Sequence, residues 1–241
     1  MSNFYKNLVE RINSYKRIPA SVTELYLNVK KYLPKNPNIL EAGAHMGYDT
    51  YGLARIWSAG RVYAFEPVPD LYAELRERTR NLKNVKTFKL ALGNENRNLE
   101  MYVSGGGSTA SSSILKPRDH LEVFPAVTFD NKISVQVKKV SDWAKSENIS
   151  VIDLFWLDMQ GFEVYALQGA GDLLRNVKVI YTELCRNELY SGMFTKESYI
   201  EFLDKSGFDL ISLTGDGEIS DGIFVNKIIL NKGNNRDNIN S

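Results

Sequence analysis

Short apolar runs alternate with amphipathic segments along most of this chain, and several of the runs end in a glycine or an acid. Runs that begin at residues 38 and 61, or span 85–92, 151–158, 177–183, 208–213 and 222–230, have the character of buried strands. Amphipathic segments follow at 70–82, 163–174 and 195–205, with Asp70 and Thr195 as expected helix caps. The pattern predicts an α/β fold with a doubly wound, mostly parallel, seven-stranded, Rossmann-like sheet whose last two strands are antiparallel.

The alternation stops between residues 95 and 150, where two strand-like runs, 99–103 and 133–140, enclose a glycine- and serine-rich stretch at 104–113. We interpret this segment as an inserted β-hairpin with a flexible connection at its tip, and a lid over a binding site is the alternative. Ser141 is then expected to cap a short helix that contains Trp143.

The two ends of the chain differ from the body. Residues 1–36 are expected to form an amphipathic helical lead-in, with Leu25, Val29 and Leu33 at helical spacing, closed by Pro34 and Pro37. Residues 37–230 are expected to be one domain. The polar tail, 231–241, is expected to be disordered.

The segment 38–50 reads as a strand, a glycine loop and the start of a helix, and the next strand ends at Glu66. This is the first half of a nucleoside site, in which a strand-end carboxylate accepts hydrogen bonds from ribose hydroxyls. A dinucleotide loop needs a glycine where His45 stands, and Glu41 would repel a diphosphate. A cationic ligand such as S-adenosylmethionine suits the loop better, so a nicotinamide-dependent oxidoreductase is disfavoured.

Composition narrows the function further. The 241 residues are 43% hydrophobic and carry 30 basic against 29 acidic residues, without a basic block, so we expect no nucleic-acid partner. The one cysteine, Cys185, excludes an internal disulfide, and no zinc-site spacing occurs. No signal peptide or membrane span is visible, which makes a cytoplasmic location the expectation and leaves a homo-oligomer open.

Several separated motifs together resemble the FkbM family of S-adenosylmethionine-dependent methyltransferases over roughly residues 39–213. They are the segments 41–50, 64–67, 91–94, 157–163, 167–170 and 182–183. Four residues depart from the usual family pattern, which has Asp, Asn, Asp and often Glu at the positions of Glu41, His45, Asn94 and Gln160.

The resemblance implies a cofactor site at the glycine loop. Backbone amides of Gly43, Ala44 and Gly47 would reach the methionine end of S-adenosylmethionine, and Thr50 would be available to its carboxylate. Glu66 would hold the ribose. Leu92 and Asn94 would border the adenine, and the expected cofactor-binding set also includes Glu41, His45 and Pro67.

Asp158 and Glu183 end strands that should be neighbours, so the two acids are expected to face one cleft. Methyl transfer to oxygen needs a base, and Asp158 is the best-placed candidate, with a helix cap as its alternative role. The two histidines, His45 and His120, are alternative bases.

Expected substrate contacts are Gln160, Tyr190 and Ser113. The first two follow the strands that end in the two acids, and Ser113 is the last residue of the glycine- and serine-rich stretch. A divalent ion between the acids is an alternative, but two carboxylates and Gln160 make a short ligand set, so we expect no metal requirement.

The function expected from these features is O-methylation of a hydroxyl on a sugar, glycan or other secondary metabolite, without a nucleic-acid or membrane partner. A catalytically silent S-adenosylmethionine-binding module and an N-methyltransferase remain alternatives. The sequence does not distinguish between these acceptors.

Overall fold

The computed structural model describes residues 18–215 and 217–231. The strands in this part of the chain are β1 (Asn38–Ala42), β2 (Arg61–Phe65), β3 (Val85–Phe88), β4 (Ala91–Gly93), β5 (Arg97–Gly106), β6 (Val127–Lys139), β7 (Leu154–Leu157), β8 (Val179–Cys185), β9 (Phe208–Thr214) and β10 (Ile219–Asn226). Seven of them form a sheet in the order β3, β2, β1, β7, β8, β10, β9, in which β10 runs antiparallel to the six other strands. This confirms the predicted mostly parallel seven-stranded sheet.

Helices cover both faces of this sheet. They are α1 (Ala20–Val29), α2 (Tyr48–Ile56), α3 (Pro69–Thr79), α4 (His120–Val123), α5 (Val140–Ser146), α6 (Glu163–Ala170) and α7 (Lys196–Lys205), with a 3₁₀-helix at Gly171–Asn176 and a helical segment at 227–231. Successive strand residues serve opposite faces: Ile39 packs with α1 and α2, whereas Leu40 packs with α5, α6 and α7. The two apolar layers therefore hold the sheet between helices.

The insertion is a second sheet. It has three strands in the order β4, β6, β5, with β5 antiparallel and β4 parallel to β6. The predicted hairpin corresponds to β5 and β6. The prediction of a single strand over 85–92 is wrong, because the chain bends at residues 89–90 and β4 joins the second sheet. A continuous apolar run cannot reveal that its two halves belong to different sheets.

A close backbone approach joins this second sheet to the main body. A Cβ atom placed on Gly169 of α6 would lie 1.8 Å from the carbonyl oxygen of Gly93 in β4. No side chain fits in such a gap, so Gly169 allows α6 to lie directly against β4.

Helix starts differ from the predicted caps. The first residue of α3 is Pro69 and its cap position is Val68, so Asp70 lies inside the helix. Likewise α5 begins at Val140, before Ser141. Thr195 does occupy the cap position of α7, but its hydroxyl pairs with Ser198 rather than with a backbone amide.

The predicted lead-in is described from residue 18 onward, and Leu25 and Val29 are fully buried in α1. Its first 17 residues lie outside the described part, as does the predicted disordered tail, except for Asn231, which is helical. Within the described residues, no helix is both long and apolar enough to cross a membrane.

Candidate functional site

A cavity of about 210 Å³ opens at the carboxyl ends of β1, β2 and β7. One water molecule needs about 10–15 Å³ on such a scale, so the cavity has room for a ligand. Its position is where strand order reverses, between β1 and β7, which is the usual ligand crevice of an open α/β sheet. The walls come from the loop after β1, the end of β2, the segment around β4, the insertion, and the loop after β7: Ala42–His45, Tyr48, Asp49; Phe65–Pro67, Leu71; Leu90–Leu92; Met101, Thr109, Ala110, Ser112, Ile114; Asp158–Gln160, Phe162.

The glycine loop after β1 is held by its own backbone bonds. The N–H groups of Gly43 and Ala44 both donate to the carbonyl of Phe65, at 3.1 and 2.9 Å, and that of Gly47 donates to Ala44 at 2.8 Å. The prediction that these three amides reach a ligand is therefore corrected. Gly43 instead permits a close contact between two loops. A Cβ atom there would lie 1.7 Å from the carbonyl oxygen of Asp158, so only glycine lets the loops after β1 and β7 meet.

Glu66 is buried at the end of β2, and both of its carboxylate oxygens are fixed. Oε2 accepts a hydrogen bond from the N–H of His45 at 2.9 Å, and Oε1 accepts one from that of Val68 at 2.8 Å. Burial raises the pKa of Glu66 to about 7, against the effect of these two bonds. Each oxygen keeps a further acceptor site, so the rigid carboxylate can still accept hydrogen bonds from the hydroxyls of a ligand.

His45 links the glycine loop to the insertion. Its backbone has a φ of 49°, in the left-handed region that His and Asn tolerate better than most side chains. Its Nε2 atom lies 2.9 Å from the Oγ1 atom of Thr109. Burial lowers the pKa of His45, so near neutral pH the ring is an uncharged hydrogen-bonding partner.

Asp158 and Glu183 come together as predicted, since β7 and β8 are parallel neighbours. The side-chain amide nitrogen of Gln160 donates to both of them, at 2.8 Å to Asp158 Oδ1 and 3.1 Å to Glu183 Oε2. Asp158 lies deep among neighbouring residues, but it remains exposed because it forms part of the cavity wall. Glu183 lies outside the lining.

Asp158 is not a helix cap. The residue before α6 is Phe162, and the turn from 158 to 163 is held by the buried carboxylate of Glu163. Its Oε1 atom accepts bonds from the N–H groups of Met159, at 2.7 Å, and Gly161, at 3.2 Å. Sequence reasoning did not assign this role to Glu163, although an acid in the first turn of a helix was a signal for it.

Three acids around this turn have raised pKa values. Desolvation by the surrounding protein raises that of Asp158 to about 6 and that of Glu163 to about 7. Burial and the neighbouring Asp158 raise the pKa of Glu183 well above its ordinary value. Among the residues that the structure describes, the lining contains neither Lys nor Arg, so this lining favours a ligand with positive charge.

Gln160 is itself held in place. Its backbone has a φ of 53°, and the Ser113 hydroxyl donates to its carbonyl at 2.8 Å. The Tyr190 hydroxyl lies 3.2 Å from its Oε1 atom and 2.7 Å from the carbonyl oxygen of Ser111, so its one proton serves one acceptor at a time. Gln160 lines the cavity, whereas Ser113 and Tyr190 are buried behind it.

Other predicted site residues lie elsewhere. Glu41 and Thr50 are buried outside the lining, and Asn94 is exposed and bonded to Gln168. His120 is buried among the rings of Phe124, Phe129 and Tyr190, with centroid distances of 5.0, 5.2 and 5.2 Å. Pro67 and Leu92 do line the cavity.

Sequence reasoning also missed part of the lining. Asp49 follows the glycine loop closely, and an acid in the first turn of that helix was a usable signal. Met101, Thr109, Ala110, Ser112 and Ile114 belong to the insertion, whose glycine- and serine-rich composition favoured a plain connection. Within ranges 18–215 and 217–231, no group of three or more His, Cys, Asp or Glu residues is arranged to hold a metal ion.

The sheet order and the position of the cavity define a Rossmann-like α/β fold with a ligand crevice at the carboxyl ends of its strands. The chain belongs to the FkbM methyltransferase family: the model of the methyltransferase FkbM domain matches residues 41–210. This membership makes it an S-adenosylmethionine-dependent methyltransferase, and it confirms the resemblance found in the sequence.

Curated relatives support the assignment. The 2-O-methyltransferase NoeI of Sinorhizobium fredii (strain NBRC 101917 / NGR234) is 30% identical over 202 residues, covering 81% of this chain and 82% of that protein. Methyltransferase sdnD of Sordaria araneosa is 25% identical over 209 residues, covering 74% and 76%.

Similarity to solved structures is more distant. A fibrillarin/Nop5p complex matches with a TM-score of 0.50 at 13% identity, covering 80% of this chain and 74% of that one. Magnesium protoporphyrin IX methyltransferase (ChlM) from Synechocystis PCC 6803 with bound SAM matches with a TM-score of 0.48 at 12% identity, covering 94% and 85%. At such identities the likeness concerns the fold alone.

Proposed function

We propose that this protein transfers a methyl group from S-adenosylmethionine to a hydroxyl oxygen of a sugar, a glycan or another secondary metabolite. The observation that carries the proposal is that Asp158, an accessible carboxylate tied to Glu183 through Gln160, lines the same cavity as the fixed carboxylate of Glu66. The 2-O-methyltransferase activity of the relative NoeI supports an oxygen acceptor.

The donor groups of the cavity fit S-adenosylmethionine. The ligand has a sulfonium, an amino group, a ribose and an aromatic base, and the lining offers Asp49, Glu66 and Asp158 together with apolar surface. In this proposal Glu66 accepts the ribose hydroxyls, and Asp49 faces the amino group. Phe65, Leu92 and Phe162 then pack around the base.

When bound, S-adenosylmethionine supplies an electrophilic methyl carbon on a sulfonium. The protein has to align the acceptor oxygen with that carbon, and alignment of this kind contributes about 7–11 kcal/mol. The ionised Asp158 would accept the proton of the acceptor's hydroxyl, and a base of this kind adds about 10²–10⁴-fold. His120 is not assigned the role of base or of aligning the acceptor, because it is buried outside the cavity lining.

The sharpest test uses acceptor pools. The protein is incubated with methyl-labelled S-adenosylmethionine and glycan or metabolite fractions, and labelled products are located by mass spectrometry. Label on oxygen supports the proposal, and label on nitrogen makes the protein an N-methyltransferase. Tight cofactor binding without any labelled product from folded protein would favour the silent binding module instead.

Calorimetry tests the cofactor separately. We expect S-adenosylmethionine and its demethylated product to bind the free protein, because the lining in the described part of the chain is acidic and offers no Lys or Arg to receive a diphosphate. Tighter binding of NAD would contradict the cofactor assignment.

A further inference from the structure

Gln160 stands at the meeting point of four separate segments. Its side-chain nitrogen donates to Asp158 after β7 and to Glu183 within β8. Its backbone carbonyl oxygen accepts a hydrogen bond from the Ser113 hydroxyl in the insertion, and its Oε1 atom lies 3.2 Å from the Tyr190 hydroxyl. Ser113 thus holds the backbone of the residue, while Tyr190 and the two acids orient the side chain with its amide nitrogen toward the acids.

The two acids are not equivalent in this arrangement. Asp158 is part of the cavity wall, whereas Glu183 lies outside the lining, behind it. Ionising both acids at once is costly, because they are close to each other and other carboxylates face them. These carboxylates are Asp49 from α2, Asp221 from β10, Glu163 from α6, Glu41 from β1 and Glu66 after β2.

We infer that Gln160 is the positioning residue of this pair: its amide holds Asp158 as the ionised carboxylate in the cavity and leaves the proton of the pair on Glu183. An N–H donor favours the charged form of the carboxylate that it contacts. The shorter of the two bonds, 2.8 against 3.1 Å, goes to Asp158. Asp158 is also exposed whereas Glu183 is half-buried, so burial penalises the charged form less at Asp158.

The location of the proton matters because Asp158 can act as a base only while its carboxyl group is ionised. The inference rests on the proposed function for its role in catalysis, but the ionisation itself can be measured without cofactor or acceptor. A glutamate at this position would place a third carboxylate beside the pair instead of a neutral donor. The glutamine is therefore a feature of this chain that changes how its acids share charge.

The test is a carboxyl-carbon NMR titration of the free protein, with the Asp158 and Glu183 signals assigned from Asp158→Asn and Glu183→Gln. Gln160→Met keeps the length of the side chain and removes both donors, so we expect the pKa of Asp158 to rise by about one pH unit or more. Gln136→Met, the same change at an exposed position of β6, is the matched control and should leave it unchanged.

Tyr190→Phe provides a second variant if Gln160→Met does not fold. It removes the hydroxyl beside Oε1, so the amide loses one of the contacts that orient it, and the pKa of Asp158 should again rise, by a smaller amount. An unchanged or lower pKa of Asp158 in the folded variants would overturn the inference.

The acidic limb of the rate against pH gives an independent readout. It should move upward in Gln160→Met, while the KM for S-adenosylmethionine stays close to that of the parent protein. A fall in rate by the same factor at every pH would indicate a merely structural role. A shifted NMR titration in a protein that methylates nothing would leave the inference standing and remove the proposed function.

Discussion

The Nε2 atom of His45 lies 2.9 Å from the Oγ1 atom of Thr109, although the two residues are 64 positions apart in the chain. This bond joins the glycine loop to the tip of the insertion, and Thr109, Ala110 and Ser112 form part of the cavity wall. The stretch 104–113 thus does more than connect two strands, and it covers the site in the position that a lid would occupy.

We expect the bond to slow ligand release. Thr109→Val removes the hydroxyl and preserves the shape, so a bound adenosyl ligand should dissociate about two- to tenfold faster, which is the net value of one hydrogen bond. Stopped-flow displacement measures this rate. Thr214→Val, which removes an exposed bond to Glu24, is the control. Equal dissociation rates in the two variants would mean that the tip does not retain the ligand.

Glu66→Gln should weaken S-adenosylmethionine binding by about 1.5–3 kcal/mol, because a charge-assisted bond to the ribose becomes a neutral one. The loss should be larger above about pH 7, where Glu66 is ionised in the free protein. Calorimetry at two pH values gives both results. Glu122→Gln, on the exposed surface of α4, controls for the loss of one charge. An unchanged affinity in folded Glu66→Gln would exclude a ribose contact.

Asp158→Asn should lower turnover by about 10²-fold or more and keep the cofactor affinity within about tenfold, since Asp158 acts on the acceptor proton. Single-turnover kinetics and calorimetry separate the two effects. His120→Ala is the informative comparison: it removes a buried side chain outside the cavity lining, so it should lower the free energy of unfolding with little change in turnover. The reverse pattern would make His120 the base.

The stability of the free protein should fall as the pH rises. Burial raises the pKa values of Glu66 and Glu163 to about 7 and that of Asp158 to about 6, so these acids bind protons more tightly when folded. Their contribution is complete below the unfolded pKa values and is lost as pH rises through the folded ones. Urea unfolding between about pH 5 and about pH 8 should show this decline.

Two comparisons identify the acids as the cause of that decline. Glu66→Gln should make the dependence on pH less steep. Stabilisation by S-adenosylmethionine, which carries a sulfonium, should be larger at the higher pH than at the lower pH. For its product, whose sulfur is an uncharged thioether, the difference between the two pH values should be smaller. A free energy of unfolding that rises with pH over this range in the free protein would contradict the argument.

We expect activity to be independent of divalent ions. Asp158 and Glu183 already share the amide of Gln160, which occupies the space between them with a neutral donor. Turnover is measured after exhaustive chelation, and Mg²⁺, Mn²⁺ and Ca²⁺ are then added back separately. Loss of activity that one ion restores would make both acids ligands.

Local patterns were sufficient to predict the frame of the site. The apolar runs predicted the parallel strands, and the carboxyl ends of neighbouring parallel strands meet at one edge, so the proximity of Asp158 and Glu183 could be inferred. The same argument brought Glu66 to the cavity wall. These features depend on strand length and order, which the hydrophobic pattern encodes.

Long-range contacts were not predictable in this way. Ser113 and Tyr190 reach Gln160 from positions 47 and 30 residues away, and no periodicity reports such a meeting. The amides of Gly43 and Ala44 were assigned to a ligand because glycine loops commonly serve one, but the direction of an N–H depends on the backbone turn, and here it faces Phe65.

The contact between Gly93 and Gly169 limits how the second sheet can move against the main body. Because β4 lies directly against α6, the second sheet meets the helix that begins at Glu163 without an intervening layer of side chains. The tip of the insertion is instead connected to the glycine loop by the side-chain bond between Thr109 and His45. We therefore expect the entrance to widen by a local displacement of this tip and not by rotation of the second sheet, which would leave the spacing of Asp158 and Glu183 unchanged.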